Sequence, residues 1–118
     1  MRLHQASESA WVEGNGYTKR ILMDEGSLGI KGSFFQEVLF RKGDKVPIHH
    51  HVIQTEIFYA VTDAYFNING RSVVLRPGDM VICEPGDRHG NPVIPHDMKI
   101  LVLKIDHKDD DTVWDEEV

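Results

Sequence analysis

Turn-forming residues interrupt this chain about every 8 to 15 residues, which limits the available folds more than any other feature of the sequence. The segments between the turns are short and rich in apolar, β-branched and aromatic residues, and none sustains a helical period over a dozen positions. The strongest turn signal is Asn69-Gly70, because both central residues of a type I′ hairpin turn need a positive φ. The pattern therefore predicts an all-β chain.

Eight strands are predicted between these turns, and residues 90–97, with two prolines, are predicted to form a loop. The predicted strands span residues 17–23, 34–40, 46–51, 57–61, 64–68, 71–75, 80–83 and 98–105. A chain of 118 residues builds one core, and short antiparallel strands in one small domain cannot leave long apolar edges open. We therefore expect a closed barrel or a two-sheet jelly roll.

The formal net charge of -6 is concentrated at the C-terminus. Residues 104–118 hold seven acidic residues and two lysines, so the rest of the chain is nearly neutral. We expect a single domain over residues 1–105 and a solvated acidic tail over residues 106–118, in which Val113 and Trp114 could hold part of the tail to the domain. A nearly neutral domain with an acidic tail argues against nucleic-acid binding, which needs a concentrated basic surface.

The sequence shows no segment typical of a membrane-spanning helix or of an export signal. The apolar run at residues 100–103 is far shorter than the roughly 20 residues of a spanning helix, so we expect no membrane association. Residues 1–5 contain no apolar segment typical of a signal peptide, so we expect a cytoplasmic protein. Cys83 is the only cysteine, which excludes an intramolecular disulfide and fits a reducing compartment.

Three histidines and one glutamate have the spacing of a metal site. In the predicted strand 46–51, period-2 alternation places His49 and His51 on one face and His50 on the other, where it would be a surface or interface residue. Glu56 follows at the next strand, and His89 follows the turn at Pro85-Gly86. Three imidazole nitrogens and one carboxylate suit Fe, Mn, Ni, Co, Cu or Zn as divalent ions, whereas Ca²⁺ and Mg²⁺ prefer oxygen-rich sites.

These residues resemble the two motifs of the cupin superfamily. The first motif corresponds to residues 43–63, with Gly43, His49, His51 and Glu56 in place but Asp63 at the position of its final glycine. The second motif corresponds to residues 78–93, with Gly78, Pro85, Gly86 and His89 in place but Glu84 and Val93 at its proline and asparagine positions. The resemblance implies a cupin-type double-stranded β-helix, or jelly-roll barrel, with all four metal-ligand positions filled.

A mostly apolar pocket is predicted around this site. Strand parity places Phe58 and Ala60 on the side of Glu56, and Asn91 on the side of His89. The resemblance adds Val81 and Cys83 as inward-facing positions, and Cys83 is interpreted as a small core residue rather than a nucleophile. Arg88, beside His89, and Gln36, on the predicted strand 34–40, are the two candidates for contact with an anionic ligand.

The sequence leaves three functions open. The first is a metal-dependent enzyme, either a dioxygenase-like oxidoreductase or a Lewis-acid isomerase or epimerase, in which Glu56 would also move protons. The second is a non-catalytic module that binds a sugar or organic acid, and the third is a metal that only stabilises the barrel. Because a divalent ion would outweigh the charge of Glu56, a small anionic or enolisable ligand is expected in the first two cases.

A homodimer is also expected. The resemblance to small cupins implies pairing through an N-terminal strand or a sheet face, and the apolar run within residues 34–40 exceeds what one inward face needs. The alternative is that the chain's own strand at residues 17–23 covers the second face.

Overall fold

The structure, a computed structural model, describes residues 1–115, which form two antiparallel β-sheets with short helical turns near the N-terminus. The helical turns are a 3₁₀ turn at Ala6–Glu8 and α1 at Glu25–Leu28. The strands are β1 (Trp11–Glu13), β2 (Thr18–Asp24), β3 (Phe34–Phe40), β4 (Val46–His51), β5 (Thr55–Ala60), β6 (Ala64–Ile68), β7 (Arg71–Leu75), β8 (Met80–Cys83), β9 (His89–Asn91), β10 (Met98–Ile105) and β11 (Thr112–Trp114).

The two sheets form a sandwich with the order expected of a jelly roll. One sheet, called sheet A below, has the order β1-β2-β3-β10-β5-β8, and the other, sheet B, has the order β11-β4-β9-β6-β7. Successive strands from β3 to β6 lie alternately in sheet A and sheet B, so the chain winds around a common core. The predicted all-β jelly roll is confirmed.

The core lies between the inner faces of the two sheets. Along β3, Phe34, Val38 and Phe40 are buried, and along β10 Ile100 and Val102 are almost completely buried. The Phe58 ring on sheet A lies 5.1 Å from the Phe66 ring on sheet B, measured between centroids, so aromatic contacts join the sheets. The polar side chains that interrupt this apolar interior are the ones that form the site described below.

The hairpin between β6 and β7 has the predicted geometry. Asn69 has a φ of 51° and Gly70 a φ of 76°, the left-handed values that a type I′ turn requires. Ile68 pairs directly with Arg71 across this two-residue loop. The hairpin therefore fixes the register of β6, which in turn pairs with β9 at His89.

The prediction of a loop over residues 90–97 is wrong at its start. Gly90 and Asn91 belong to β9, which lies between β4 and β6. A Cβ at Gly90 would lie 2.6 Å from the carbonyl oxygen of Val46, so the close approach of β4 requires glycine here. A three-residue strand containing glycine and asparagine carries no local β signal, which is why the sequence pattern missed it.

The prediction of a solvated tail is also wrong for part of the C-terminus. Asp111 is buried, and β11 extends sheet B by pairing with β4. Val113 and Trp114, the residues expected to hold the tail to the domain, lie in this strand. Glu116, Glu117 and Val118 lie outside the described residues, and the domain boundary at residue 105 stays a prediction. Within residues 1–115, no helix is long and apolar enough to cross a membrane.

Candidate metal centre

The four predicted metal ligands lie together in the structure. One nitrogen from each of His49, His51 and His89 and one carboxylate oxygen of Glu56 lie within 4.8 Å of one another. Sheet B supplies the three histidines from β4 and β9, and sheet A supplies Glu56 from β5. The cluster therefore exists only because the two sheets face each other.

Strand register places the three imidazoles side by side. His49 and His89 are direct partners in the β4–β9 pair, and their ring centroids are 4.4 Å apart. The His51 ring lies two residues further along the same face of β4, with centroid distances of 5.3 Å to His49 and 5.4 Å to His89. His50, between the two, pairs with Val113 and does not belong to the cluster, as the alternation predicts.

Backbone hydrogen bonds fix the same tautomer in all three rings. The Nδ1 atoms of His49, His51 and His89 lie 2.9, 3.1 and 2.9 Å from the carbonyl oxygens of Pro47, Asp111 and Asp87, respectively. A carbonyl oxygen can only accept a hydrogen bond, so each Nδ1 carries the proton and donates it. In a neutral ring the lone pair then lies on Nε2, which is the arrangement of metal-binding histidines.

Two of the three Nε2 atoms have no hydrogen-bond donor for their lone pairs in the described part of the chain. Within the described residues, Nε2 of His51 and Nε2 of His89 are buried and accept no hydrogen bond. The neighbouring group is the carboxylate of Glu56, whose Oε1 is 3.5 Å from Nε2 of His89 and in closer contact with Nε2 of His51. Lone pairs and an anionic oxygen that converge on one point repel each other, and a divalent cation between them removes that repulsion.

The protonation states also suit a metal. Burial lowers the pKa of His49 to about 4, although its hydrogen bond to Pro47 opposes the shift, so this ring is neutral at neutral pH. Burial alone would raise the pKa of Glu56, but neighbouring groups, among them the positive charge of Lys104, outweigh burial and hold this pKa below its usual range. Neutral imidazole and ionised carboxylate are the forms that bind metal ions, so the residues present fit a divalent transition metal.

A second layer of hydrogen bonds holds Glu56. The Gln54 amide nitrogen donates to Oε1 of Glu56 at 3.3 Å, and Gln54 is only 2% exposed. The Gln54 amide oxygen in turn accepts a hydrogen bond from Nδ1 of His107 at 2.6 Å, because an amide oxygen can only accept. His107 packs on Phe34, with ring centroids 4.6 Å apart. Gln54 and His107 were absent from the predicted site, since neither belongs to a ligand pattern.

A cavity of about 100 Å³ lies against the cluster, with room for a few water molecules or one small ligand. Phe58 and Asn91 line it, in agreement with their predicted positions. Ala60, Val81 and Cys83 do not contact the cavity in the part of the chain described: Ala60 and Cys83 are buried in the core, and Val81 packs against it. Burial raises the pKa of the Cys83 thiol to about 12, which fits an inert core residue.

Several cavity residues were not predicted from the sequence. Lys104 and Tyr17 line the cavity from sheet A and its adjoining loop, and Thr112 and Trp114 line it from β11. The signal for Lys104 was available, because Met98, Ile100 and Val102 alternate inward along β10 and the next position on that face is 104. No comparable signal existed for Thr112 and Trp114, which depend on the unexpected docking of β11.

The two candidates for anion contact have different positions. Gln36 is buried and lines the cavity. Arg88 instead forms an ion pair with Asp115 and is absent from the residues that line the cavity within the described chain. Only Gln36 therefore has a position from which it can contact a ligand beside the metal centre.

Sequence comparisons give no assignment. The sequence matches no family model, and no curated protein sequence matches it.

Solved structures, in contrast, show clear similarity. KdgF from Halomonas sp. has a TM-score of 0.77 at 21% identity, and the match covers 93% of this chain and 97% of KdgF. The polyketide cyclase RemF from Streptomyces resistomycificus has a TM-score of 0.81 at 20% identity, over 100% of this chain and 87% of RemF. The Streptomyces nucleoside dehydratase Pac13 has a TM-score of 0.78 at 13% identity, over 98% and 92% of the two chains. At these identities the similarity concerns the fold.

Proposed function

We propose that this chain, which has the cupin fold, is a metal-dependent enzyme that acts on a small anionic or enolisable molecule. One observation carries the proposal. Three imidazoles are held by backbone carbonyls so that their Nε2 lone pairs converge on the Glu56 carboxylate, beside a cavity of ligand size. His49, His51, Glu56 and His89 would hold one divalent transition metal ion.

The charge of the cavity supports an anionic ligand. Glu56 offsets one of the two charges of a divalent ion, and Lys104 adds another positive charge to the lining. The rest of the lining is mainly neutral, with apolar side chains such as Phe58 and Val102. Electrostatic interactions are strong in such an environment because little water screens them. A small carboxylic or oxo acid therefore fits better than a cation.

Lewis-acid chemistry is the form of catalysis that we favour. When bound, the metal ion would supply polarisation of a ligand oxygen, which acidifies the neighbouring carbon. Glu56 lines the cavity and would move the proton, as the sequence analysis expected for this residue. Burial, with a further contribution from Glu56, raises the pKa of Tyr17, so its phenol stays protonated and can donate a hydrogen bond to the ligand.

The names of the structural neighbours are compatible with this choice. They include a nucleoside dehydratase, a polyketide cyclase, a predicted oxalate decarboxylase and a DMSP lyase. Dehydration, cyclisation, decarboxylation and elimination can each proceed through stabilisation of negative charge, without net oxidation of the substrate. The neighbours support Lewis-acid chemistry only by analogy of fold. Oxidoreductase activity, which the sequence also left open, needs a different test.

The test measures exchange of carbon-bound hydrogen. The protein, loaded in turn with Zn(II), Mn(II), Ni(II) or Fe(II), is incubated in deuterium oxide with 2-oxo acids and ketoses, and exchange is followed by proton NMR. We expect exchange faster than with the free metal ion, and its loss in His89→Ala. Ligand-induced stabilisation without exchange would instead favour the binding module. Oxygen consumption by the Fe(II) protein with enediols or catechols would favour a dioxygenase.

The predicted homodimer is part of this proposal. Because β2 lies beside β3 in sheet A, it does not cover the outer face of that sheet, which was the alternative to a dimer. Exposed apolar side chains follow one another across this outer face: Leu103 is 37% exposed, Tyr59 42%, Ile82 50% and Met80 58%. Register pairs Leu103 with Ile57, Ile57 with Ile82, and Tyr59 with Met80, so the apolar surface is continuous. A second copy would bury it.

A further inference from the structure

Lys104 lies on the inner face of β10 and lines the cavity, whereas the preceding inward-facing residues of this strand are apolar. It is the direct partner of Glu56 on β5 and of Phe34 on β3, so it lies between these two residues on the inner face of sheet A. Side chains on directly paired residues are separated by roughly 5 Å at their Cβ atoms. Any ligand that reaches the metal centre at Glu56 is therefore within reach of the Lys104 ammonium group.

The Lys104 ammonium group has no carboxylate partner within the described part of the chain. Among residues 1–115, the salt bridges within 4.0 Å involve other cations, such as Arg20 and Lys99 with Glu37. The Nζ atom of Lys104 lies 4.6 Å from the centroid of the Phe34 ring. Burial lowers the pKa of Lys104, and Glu56 opposes this shift, so the ammonium group is partly desolvated. A partly desolvated cation without a counter-charge is costly, and a bound anion would lower that cost.

Gln36 gives a second, independent indication of a ligand at the same place. It is only 4% exposed, it lines the cavity, and its Oε1 has no hydrogen-bond partner among the described residues. Its direct partner on β10 is Val102, which makes it a diagonal neighbour of Lys104 on the inner face. An amide at this position can rotate to present either its oxygen or its NH₂ group to a ligand.

We propose that Lys104 and Gln36 form an anion subsite beside the metal centre, and that this subsite binds the carboxylate group of a small 2-oxo or 2-hydroxy acid. The inference rests on the proposed function and adds the class of substrate. An ammonium and an amide NH₂ together offer donors to the two oxygens of one carboxylate, while Phe58 and Val102, which line the cavity, provide apolar surface for the short carbon chain. The 2-oxo or 2-hydroxy oxygen then lies toward the histidine cluster.

A purely structural role for Lys104 makes a different prediction. If Lys104 served only to balance the charge of Glu56, its removal would weaken metal binding and leave the preference among ligands unchanged. The subsite predicts the reverse, because the metal ligands are complete without Lys104. Metal content and ligand preference therefore separate the two roles.

The experiment compares charged ligands with neutral analogues of the same shape. Acetate, pyruvate and lactate, and the corresponding amides, are titrated by calorimetry into the Zn(II)-loaded wild type, Lys104→Met, Lys104→Arg, Gln36→Leu and the exposed control Lys42→Met. Metal content is measured for each protein. We expect the wild type and the control to bind pyruvate or lactate at least about tenfold more tightly than the amide, the worth of one charge-assisted hydrogen bond.

The expected losses follow the roles of the two side chains. Lys104→Met weakens this preference about tenfold, to what the metal ion alone supports, with unchanged metal content. Lys104→Arg keeps most of the preference, and Gln36→Leu binds both acid and amide more weakly. Equal affinity of acid and amide in the wild type, undetectable binding of both, or an unchanged preference in Lys104→Met would overturn the subsite. A wild type that holds no stoichiometric metal would instead contradict the proposed function, and its acid–amide preference in the metal-free state would still test the subsite.

Discussion

The backbone carbonyl of Asp111 accepts a hydrogen bond from Nδ1 of His51 at 3.1 Å, which links the C-terminal segment to the metal centre. The carboxylate of the same residue accepts hydrogen bonds from the backbone N–H groups of Val52, Ile53 and Gln54, at 3.1, 3.0 and 2.8 Å. These three residues connect the strand of His51 to the strand of Glu56. One buried aspartate thus fixes the turn between two metal ligands and the ring orientation of one of them.

Replacement of this aspartate should affect stability and metal binding together. Asp111→Ala leaves three backbone N–H groups without their acceptor, so we expect the free energy of unfolding to fall by about 2–4 kcal/mol. We expect metal affinity to fall about 10- to 100-fold, the usual effect of losing a group that orients a ligand. Chemical denaturation and competition with a chelating indicator measure the two effects. Asp110→Asn, at the exposed neighbouring residue, is the matched control and should change neither.

Gln54 offers a more selective perturbation of the same centre. Gln54→Met removes the amide that donates to Glu56, while a similar volume remains in the core. We expect metal affinity to fall about tenfold or more, because the carboxylate loses the group that orients it. His107→Phe, which removes only the partner of the Gln54 oxygen, should cause a smaller loss in the same competition assay. Equal metal affinity in Gln54→Met and the wild type would refute the role assigned to Gln54.

The clustering of the four candidate ligands and eight of the eleven strands in residues 1–115 were predictable because they depend on local patterns. Alternation within one strand separates His49 and His51 from His50, and turn residues mark most strand ends. The role of Asp111 was not predictable, since its contacts join residues about sixty positions apart and no pattern signals them. Strand alternation also predicts which face of the sheet a residue lies on, but not whether the residue borders the cavity. Ala60 and Cys83 face inward, as expected, yet they lie in the core away from the cavity.

Glu37 should make stability depend on pH on the acid side. Burial alone would raise the pKa of Glu37, but its bonds with Lys99 and Arg20 outweigh burial and lower it. A lowered folded-state pKa stabilises the protein above the unfolded value of about 4.3, and this contribution is lost as the pH falls toward the folded value. We expect Glu37→Gln to lower the melting temperature at neutral pH and progressively less below about pH 4. A difference that stays constant between pH 7 and about pH 3 would be inconsistent with this account.

The outer face of sheet A should mediate dimer formation. Light scattering coupled to size-exclusion chromatography should give about twice the chain mass of 13.5 kDa. Leu103→Asp and Ile82→Asp each introduce a charge into the apolar face, so we expect both variants to be monomers. Val93→Asp is the matched control, since Val93 is 64% exposed outside sheet A and should leave the dimer intact. A monomeric wild type would contradict the proposed interface.

The metal content of the purified protein tests the central claim most directly. The measurement is elemental analysis of protein produced without a histidine tag, because His-rich tags and tracts also bind adventitious metal. The wild type and His50→Ala should each hold about one divalent transition metal ion per chain, since His50 lies outside the cluster. The double variant His51→Ala/His89→Ala should hold none while it remains folded by circular dichroism. A wild type without stoichiometric metal, or a double variant with as much metal as the wild type, would contradict the account.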